Sequence, residues 1–98
     1  LEKRQYVNEV CKDAIKEHPE LADSPGLLMD RLVRAYRYAV AIGFTDGPTI
    51  TQFLHYEAVA PNFYQESAIS RWLRKPGNSP EQRFEDLLIV AKHRMEGY

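Results

Sequence analysis

Between Ala41 and Leu88 the chain carries three helix starts and stops in succession, with no strand between them. The segment AIGFT closes one helix, TDGPTITQFLHYEAVAPNF opens and closes a second, SAISRWLRKPG holds a short third, and SPEQRFEDLL starts another. A chain punctuated this way is confined to helix-on-helix packing, because a strand would need an alternating apolar run bounded by turn residues. The expected fold class is all-α, a compact bundle of about five helices.

The first helix is expected over about Glu2 to Glu17, where Tyr6, Val7, Val10, Cys11, Ala14 and Ile15 recur at three- and four-residue spacing. Pro19 stops it, and the polar link PELADSPG leads to Ser24, read as an N-cap, followed by Pro25 at the first helical position. The second helix reaches about Ile42 with Leu28, Leu32, Ala35, Tyr36 and Ala39 inward. Leu27, Met29, Val33 and Val40 widen its apolar arc, so it is expected to be central. Gly43 follows as a left-handed cap, with Phe44 folding back on the last turn.

Thr45 or Asp46 caps the third helix, which runs from the turn containing Pro48 to about Val59 with Ile50, Phe53, Leu54 and Ala58 buried. After Pro61 and an NFY turn, a fourth helix is expected over about Gln65 to Arg74, with Ala68, Ile69, Trp72 and Leu73 inward. Ser79, Pro80 and Gln82 match a capping box with proline at the first helical position. The last helix places Phe84, Leu87, Leu88, Ala91 and Met95 on one stripe. Glu81, Glu85 and Asp86 lie early in it and Lys92, His93 and Arg94 late, which suits the helix dipole.

Ninety-eight residues make one modest core, and 44% apolar with 28% charged residues is a globular composition. The chain begins at Leu1 instead of Met, and it is expected to be a single helical domain, residues 1–98, cut from a longer chain. Thirteen Lys and Arg against fourteen Asp and Glu leave a net charge of -1, so no general attraction to nucleic acid or anionic lipid is expected. Any charged partner must be met by a local patch. No apolar run approaches about 18 residues, so no membrane partner is expected and the default compartment is cytoplasmic. A single cysteine, Cys11, excludes an internal disulfide and a cysteine-based zinc site.

Reactive chemistry finds no support in the spacings. His18, His55 and His93 are never paired i, i+4 on one helix, which removes an H-E-x-x-H metal site. His55 beside Tyr56 and Glu57 contains the parts of a general base, yet such trios are common on helices and it reads as a surface or half-buried histidine. Cys11 lies on an apolar face, where a thiol behaves as a small hydrophobe. Ser67 and Ser70 lack a nucleophile turn, and there is no glycine-rich phosphate cradle. No catalytic residue, metal ligand or cofactor site is expected.

The run RLVRAYRYAV on the second helix carries the most functional content. At about 100° per residue, Arg31, Arg34 and Arg37 cover one third of the wheel with Tyr38 between Arg31 and Arg34. Guanidinium groups beside a phenol suit a carboxylate- or phosphate-bearing partner. Solvated arginines are the plain alternative. Near the Pro61 break, Phe63 and Tyr64 join Tyr56 as a candidate aromatic docking surface, with core filling as the competing role. The candidate partner-binding residues are therefore Arg31, Arg34, Arg37, Tyr38, Phe63 and Tyr64. Arg71, Arg74 and Lys75 at the end of the fourth helix are explained by the helix C-terminus alone.

Two resemblances follow from these residues. The string ISRWLRKPGNSPEQ resembles the recognition-helix end of phage-repressor-type helix-turn-helix proteins, which implies DNA binding. Against that motif, Phe63 falls where the tight turn wants glycine, Val59 where a small residue is wanted, and Glu66 would meet phosphate. About half the chain is similar to a small helical module of type VI secretion gene clusters, the C-terminal helical part of effector-loading adaptor proteins. The matching residues are Ile42, Gly43, Phe44, Thr45, Phe53, Leu54, Pro61, Phe63, Ile69, Pro80, Arg83 and Leu87, although AVAPNF stands where relatives have glycine and acidic residues around the phenylalanine. That resemblance implies a non-enzymatic, protein-binding role, with a secreted effector or a secretion component as partner. A DNA-binding regulator domain and a toxin-neutralising immunity protein are the competing expectations.

Overall fold

A computed structural model describes residues 2–96, and among them five α-helices and two 3-10 turns make up the fold, with no strand. The helices are α1 (Glu2–Glu17), α2 (Pro25–Ala41), α3 (Gly47–Val59), α4 (Ser67–Leu73) and α5 (Pro80–Glu96). The 3-10 turns are Pro19–Asp23 and Phe63–Gln65. The first occupies what reads in sequence as a plain polar link. Its Leu21 amide donates to the His18 carbonyl at 2.9 Å and Leu21 packs against the core, so an apolar residue inside a polar stretch orders it.

The boundaries follow from local chemistry. The α2 stop is a Schellman turn: the Phe44 N–H donates to the Ala39 carbonyl at 2.9 Å and the Gly43 N–H to Val40 at 3.1 Å, with Gly43 at φ 113°. That reversal drops Phe44 into the core. Asp46, not Thr45, caps α3, its carboxylate accepting from the Thr49 amide at 3.0 Å and the Thr49 hydroxyl at 2.6 Å. Ser24 does not cap α2; its side chain makes no cap bond, and Pro25 supplies the preset backbone at that start. Ser79 caps α5 by accepting from the Gln82 amide at 3.1 Å, while the Gln82 side chain turns forward to Asp86 at 3.0 Å instead of closing the box.

The core is one cluster. Val7, Val10, Cys11 and Ala14 of α1 and Leu28, Leu32, Ala35 and Ala39 of α2 join Ile50, Phe53, Leu54 and Ala58 of α3 and Phe84 of α5. α2 and α3 make the most extensive pairing of the bundle and share its interior, α2 packing also against α1, and α3 against α1 and α5. On the α3 side the packing is built around an aromatic hub. Phe53 lies within 5.0–6.3 Å, centroid to centroid, of Tyr38, Phe44, Phe63, Tyr64 and Phe84. By contrast Leu27 and Val40 of α2 are exposed, as are Ile89 and Val90 of α5.

Polar clamps join the elements. Glu81 at the start of α5 accepts from the Asp46 amide at 2.6 Å and from the Thr45 hydroxyl at 3.3 Å, tying the α2–α3 turn to α5. Tyr6 of α1 hydrogen-bonds Thr51 and donates to the Gly47 carbonyl at 3.3 Å on α3. Burial, more than the bond to Thr51, acts on that phenol and raises its pKa above the ordinary 10.0, with neighbouring Tyr36 adding to the rise. The places expected for Ala91 and Met95, and for Lys92, His93 and Arg94, fall outside the described side chains.

Candidate interaction surface

The arginines of α2 divide between two environments. Arg31 turns toward α3, where its Nε donates to Glu57 Oε2 at 3.0 Å and its Nη2 donates to the carbonyls of Glu57 at 2.5 Å and Ala58 at 3.2 Å. The side chains of Arg31 and Glu57 keep only 20% and 1% of their surface exposed. Glu57 Oε1 accepts from the amide of Asn62, which sits in the left-handed region at φ 61°. One carboxylate thus neutralises a guanidinium, and also holds the turn that leaves α3. The free end of α3 is satisfied by the same arginine, whose Nη2 takes two of its carbonyls.

Arg34 and Arg37 point the other way. Both are exposed, and neither has a hydrogen-bond or ion-pair partner among the described residues. The same outward side of α2 carries exposed Leu27, Asp30, Val40 and Ala41, giving a mixed apolar and arginine stripe. Asp30 is one turn before Arg34, yet no ion pair joins them. Tyr38 lies on the border of this stripe, half-buried, its ring 4.6 Å from Tyr64 and its hydroxyl 3.1 Å from that of Ser70 on α4.

Phe63 and Tyr64 lie inside the fold. They are 8% and 4% exposed, and they complete the aromatic hub from the 3-10 turn after Pro61. Of the six sequence candidates, then, the structure brings Arg34, Arg37 and the edge of Tyr38 to one outer face, and places Arg31, Phe63 and Tyr64 in the packing behind it. Glu57 was missed in the sequence, although its register is legible: Ile50, Phe53, Leu54, Glu57 and Ala58 share one helical face. A carboxylate on that face requires a buried cation.

Several groups with chemical potential are otherwise engaged. His55 is half-buried and Glu57 faces Arg31, so the His55–Tyr56–Glu57 run does not assemble a carboxylate-oriented base. Cys11 is buried in the core, where burial pushes the pKa of its thiol up and away from the nucleophilic thiolate. Among the described residues no group of three or more His, Cys, Asp or Glu side chains could hold a metal ion, and no helix is long and apolar enough to cross a membrane.

Trp72 departs from the expected core role. It is half-buried on α4, its Nε1 donates to the Arg83 carbonyl at 2.8 Å, and Leu73 instead of Trp72 fills the core. An indole N–H needs an acceptor, and the first turns of α5 supply it at the bundle edge. Ala68, expected inward, is exposed beside it. Compared with known proteins, the chain matches no family model, no curated protein and no solved structure.

Proposed function

We propose that this domain is a non-enzymatic protein-binding module, whose outward α2 stripe of Leu27, Arg34, Arg37 and Val40, bordered by Tyr38, docks one partner protein. The observation that carries the reading is the division of the α2 arginines. Arg31 is consumed by Glu57, whereas Arg34 and Arg37 stand unpaired between exposed apolar residues. Interface cores favour this mixture, since arginine contributes planar hydrogen bonding and apolar stem contact in the same side chain. Three ordered features keep the stripe rigid: the Schellman stop, the Arg31 clamp and the Tyr38–Tyr64 contact.

The resemblance to effector-loading adaptor modules of type VI secretion clusters supplies the kind of partner, a secreted effector or a secretion component. Between α3 and α4 the chain passes through Ala60–Glu66 with a 3-10 turn inside it, a longer connection than the three or four residues that join a helix-turn-helix pair. That geometry supports the protein-binding reading over the DNA-binding one. The test is cross-linking of the tagged chain in its own cell, identification of the partner by mass spectrometry, and repetition with Arg34→Glu/Arg37→Glu. Loss of the partner with an unchanged thermal melt supports the stripe; retention sinks it.

A further inference from the structure

A second surface lies at the α4–α5 corner, on residues that the α2 stripe does not use. Ala68, Arg71, Trp72 and Lys75 recur at i, i+3, i+4, i+7, and with Arg74 and Pro76 they line an open depression. Its apolar part is the Ala68 methyl, the Trp72 ring and the Pro76 ring. Cations stand around it. The Arg83 guanidinium carbon lies 4.6 Å from the Trp72 ring centroid and the Lys75 ammonium 5.7 Å from it. Arg83 Nη2 donates to the Pro76 carbonyl at 3.0 Å, so the Trp72 ring is held both at its N–H and by a cation against its face.

None of these four cations has a carboxylate partner among the described residues, where the ion pairs are Arg31–Glu57 and His18–Glu20. Neutralising the C-terminus of a seven-residue helix explains part of the cluster. It does not explain why Arg71 and Lys75 flank a half-buried indole that lines an open depression. We propose that this corner docks an acidic segment of a partner protein, with carboxylates against Arg71, Arg74 and Lys75 and one apolar side chain on the Trp72–Pro76 surface. Charge complementarity selects the carboxylates, and the apolar lining selects a peptide that carries a hydrophobic anchor.

A single-stranded nucleic acid is the competing polyanion, and the site is poorly built for it. Base stacking needs an open aromatic face, and the Arg83 guanidinium takes one face of the ring, leaving a half-buried indole that offers an aliphatic anchor a contact more readily than it offers a base a full stack. Among the described residues, α1 and the turn after it expose the carboxylates of Glu9, Asp13, Glu17, Glu20 and Asp23, which oppose a phosphate backbone, and the whole chain carries -1.

Trp72 is the sole tryptophan of the chain, so its emission reports on this corner directly. The full chain is titrated at low salt with a short synthetic peptide of Asp and Glu around a central leucine, read by Trp72 fluorescence and by calorimetry, the latter counting any spectroscopically silent complex. Saturable binding that weakens as salt is raised is expected, because exposed ion pairs are screened. Arg71→Glu/Lys75→Glu should bind at least about tenfold more weakly in a chain that still melts cooperatively, while Arg34→Glu/Arg37→Glu, with the same change in net charge, should bind far more tightly than that variant does, which separates this corner from the α2 stripe. Absence of binding by both readouts, equal binding by Arg71→Glu/Lys75→Glu, or tighter binding of a thymidine oligonucleotide of the same length would overturn the proposal.

Discussion

Along α1 and α2 the buried residues are mostly small or aliphatic, Val7, Val10, Cys11 and Ala14 with Leu28, Leu32, Ala35 and Ala39; around Phe53 they are aromatic, Tyr38, Phe44, Phe63, Tyr64 and Phe84. The first set lies entirely on regular helical stripes. In the second, three of the rings arrive from turns: Phe44 from the Schellman stop, and Phe63 and Tyr64 from the 3-10 turn after Pro61. One side of the bundle therefore depends on periodicity and the other on turn geometry. The Arg31–Glu57 pair joins them, since it spans α2 and α3 and also fixes the Asn62 turn that delivers Phe63.

If that division is right, Phe53→Ala is the most damaging single truncation, at about 3–5 kcal/mol in a urea titration, because it strips contacts from both helices and turns. Leu32→Ala, equally buried on the aliphatic side, should cost less, about 2–3 kcal/mol, since small neighbours can close around the gap. A reversed order would break the contrast. Next comes the joint itself. Glu57→Leu leaves the Arg31 guanidinium without its counter-charge and should cost about 3 kcal/mol, and adding Arg31→Met should recover part of the loss. Additive losses in the double variant would show that the two groups do not act as a pair.

The aliphatic side was legible in the sequence because one rule, the recurrence of apolar residues at three and four, places Val7, Val10, Ala14, Leu28, Leu32 and Ala35 together. Gly43 announced its own turn, and Phe44 with it. What periodicity does not show is where a turn residue lands. Phe63 and Tyr64 read equally well as an exposed docking surface or as core, and only the path through left-handed Asn62 decides that they face Phe53. The α2 arginines were ambiguous for a related reason. A helical wheel places Arg31 on the edge of the exposed arc, and whether an edge residue turns inward depends on the neighbouring helix offering a carboxylate, here Glu57. The Glu81 clamp on the Asp46 amide is likewise a contact between distant segments with no local signal.

Smaller effects sharpen the picture. Gly43→Ala meets no close atom beyond the Pro80 ring at 3.6 Å, so its cost is that of the backbone at φ 113°, about 1–2 kcal/mol read from the melt. Tyr6 gives a pH signature on the α1–α3 contact. Its folded-state pKa is raised, so an unfolded Tyr6 ionises first, and the stability it contributes is intact below 10.0 and lost as pH climbs from there through the folded value. Thermal melts taken across that window should fall more steeply for the native chain than for Tyr6→Phe. Parallel curves would remove Tyr6 as the cause.

The most direct measurement compares partner cross-linking and thermal stability in the same Arg34→Glu/Arg37→Glu protein. Both side chains are exposed and unpaired among the described residues, so the melt should stay within about 0.5 kcal/mol of the native chain while the partner is lost. An unchanged melt with full capture would contradict a docking role for the outward face of α2.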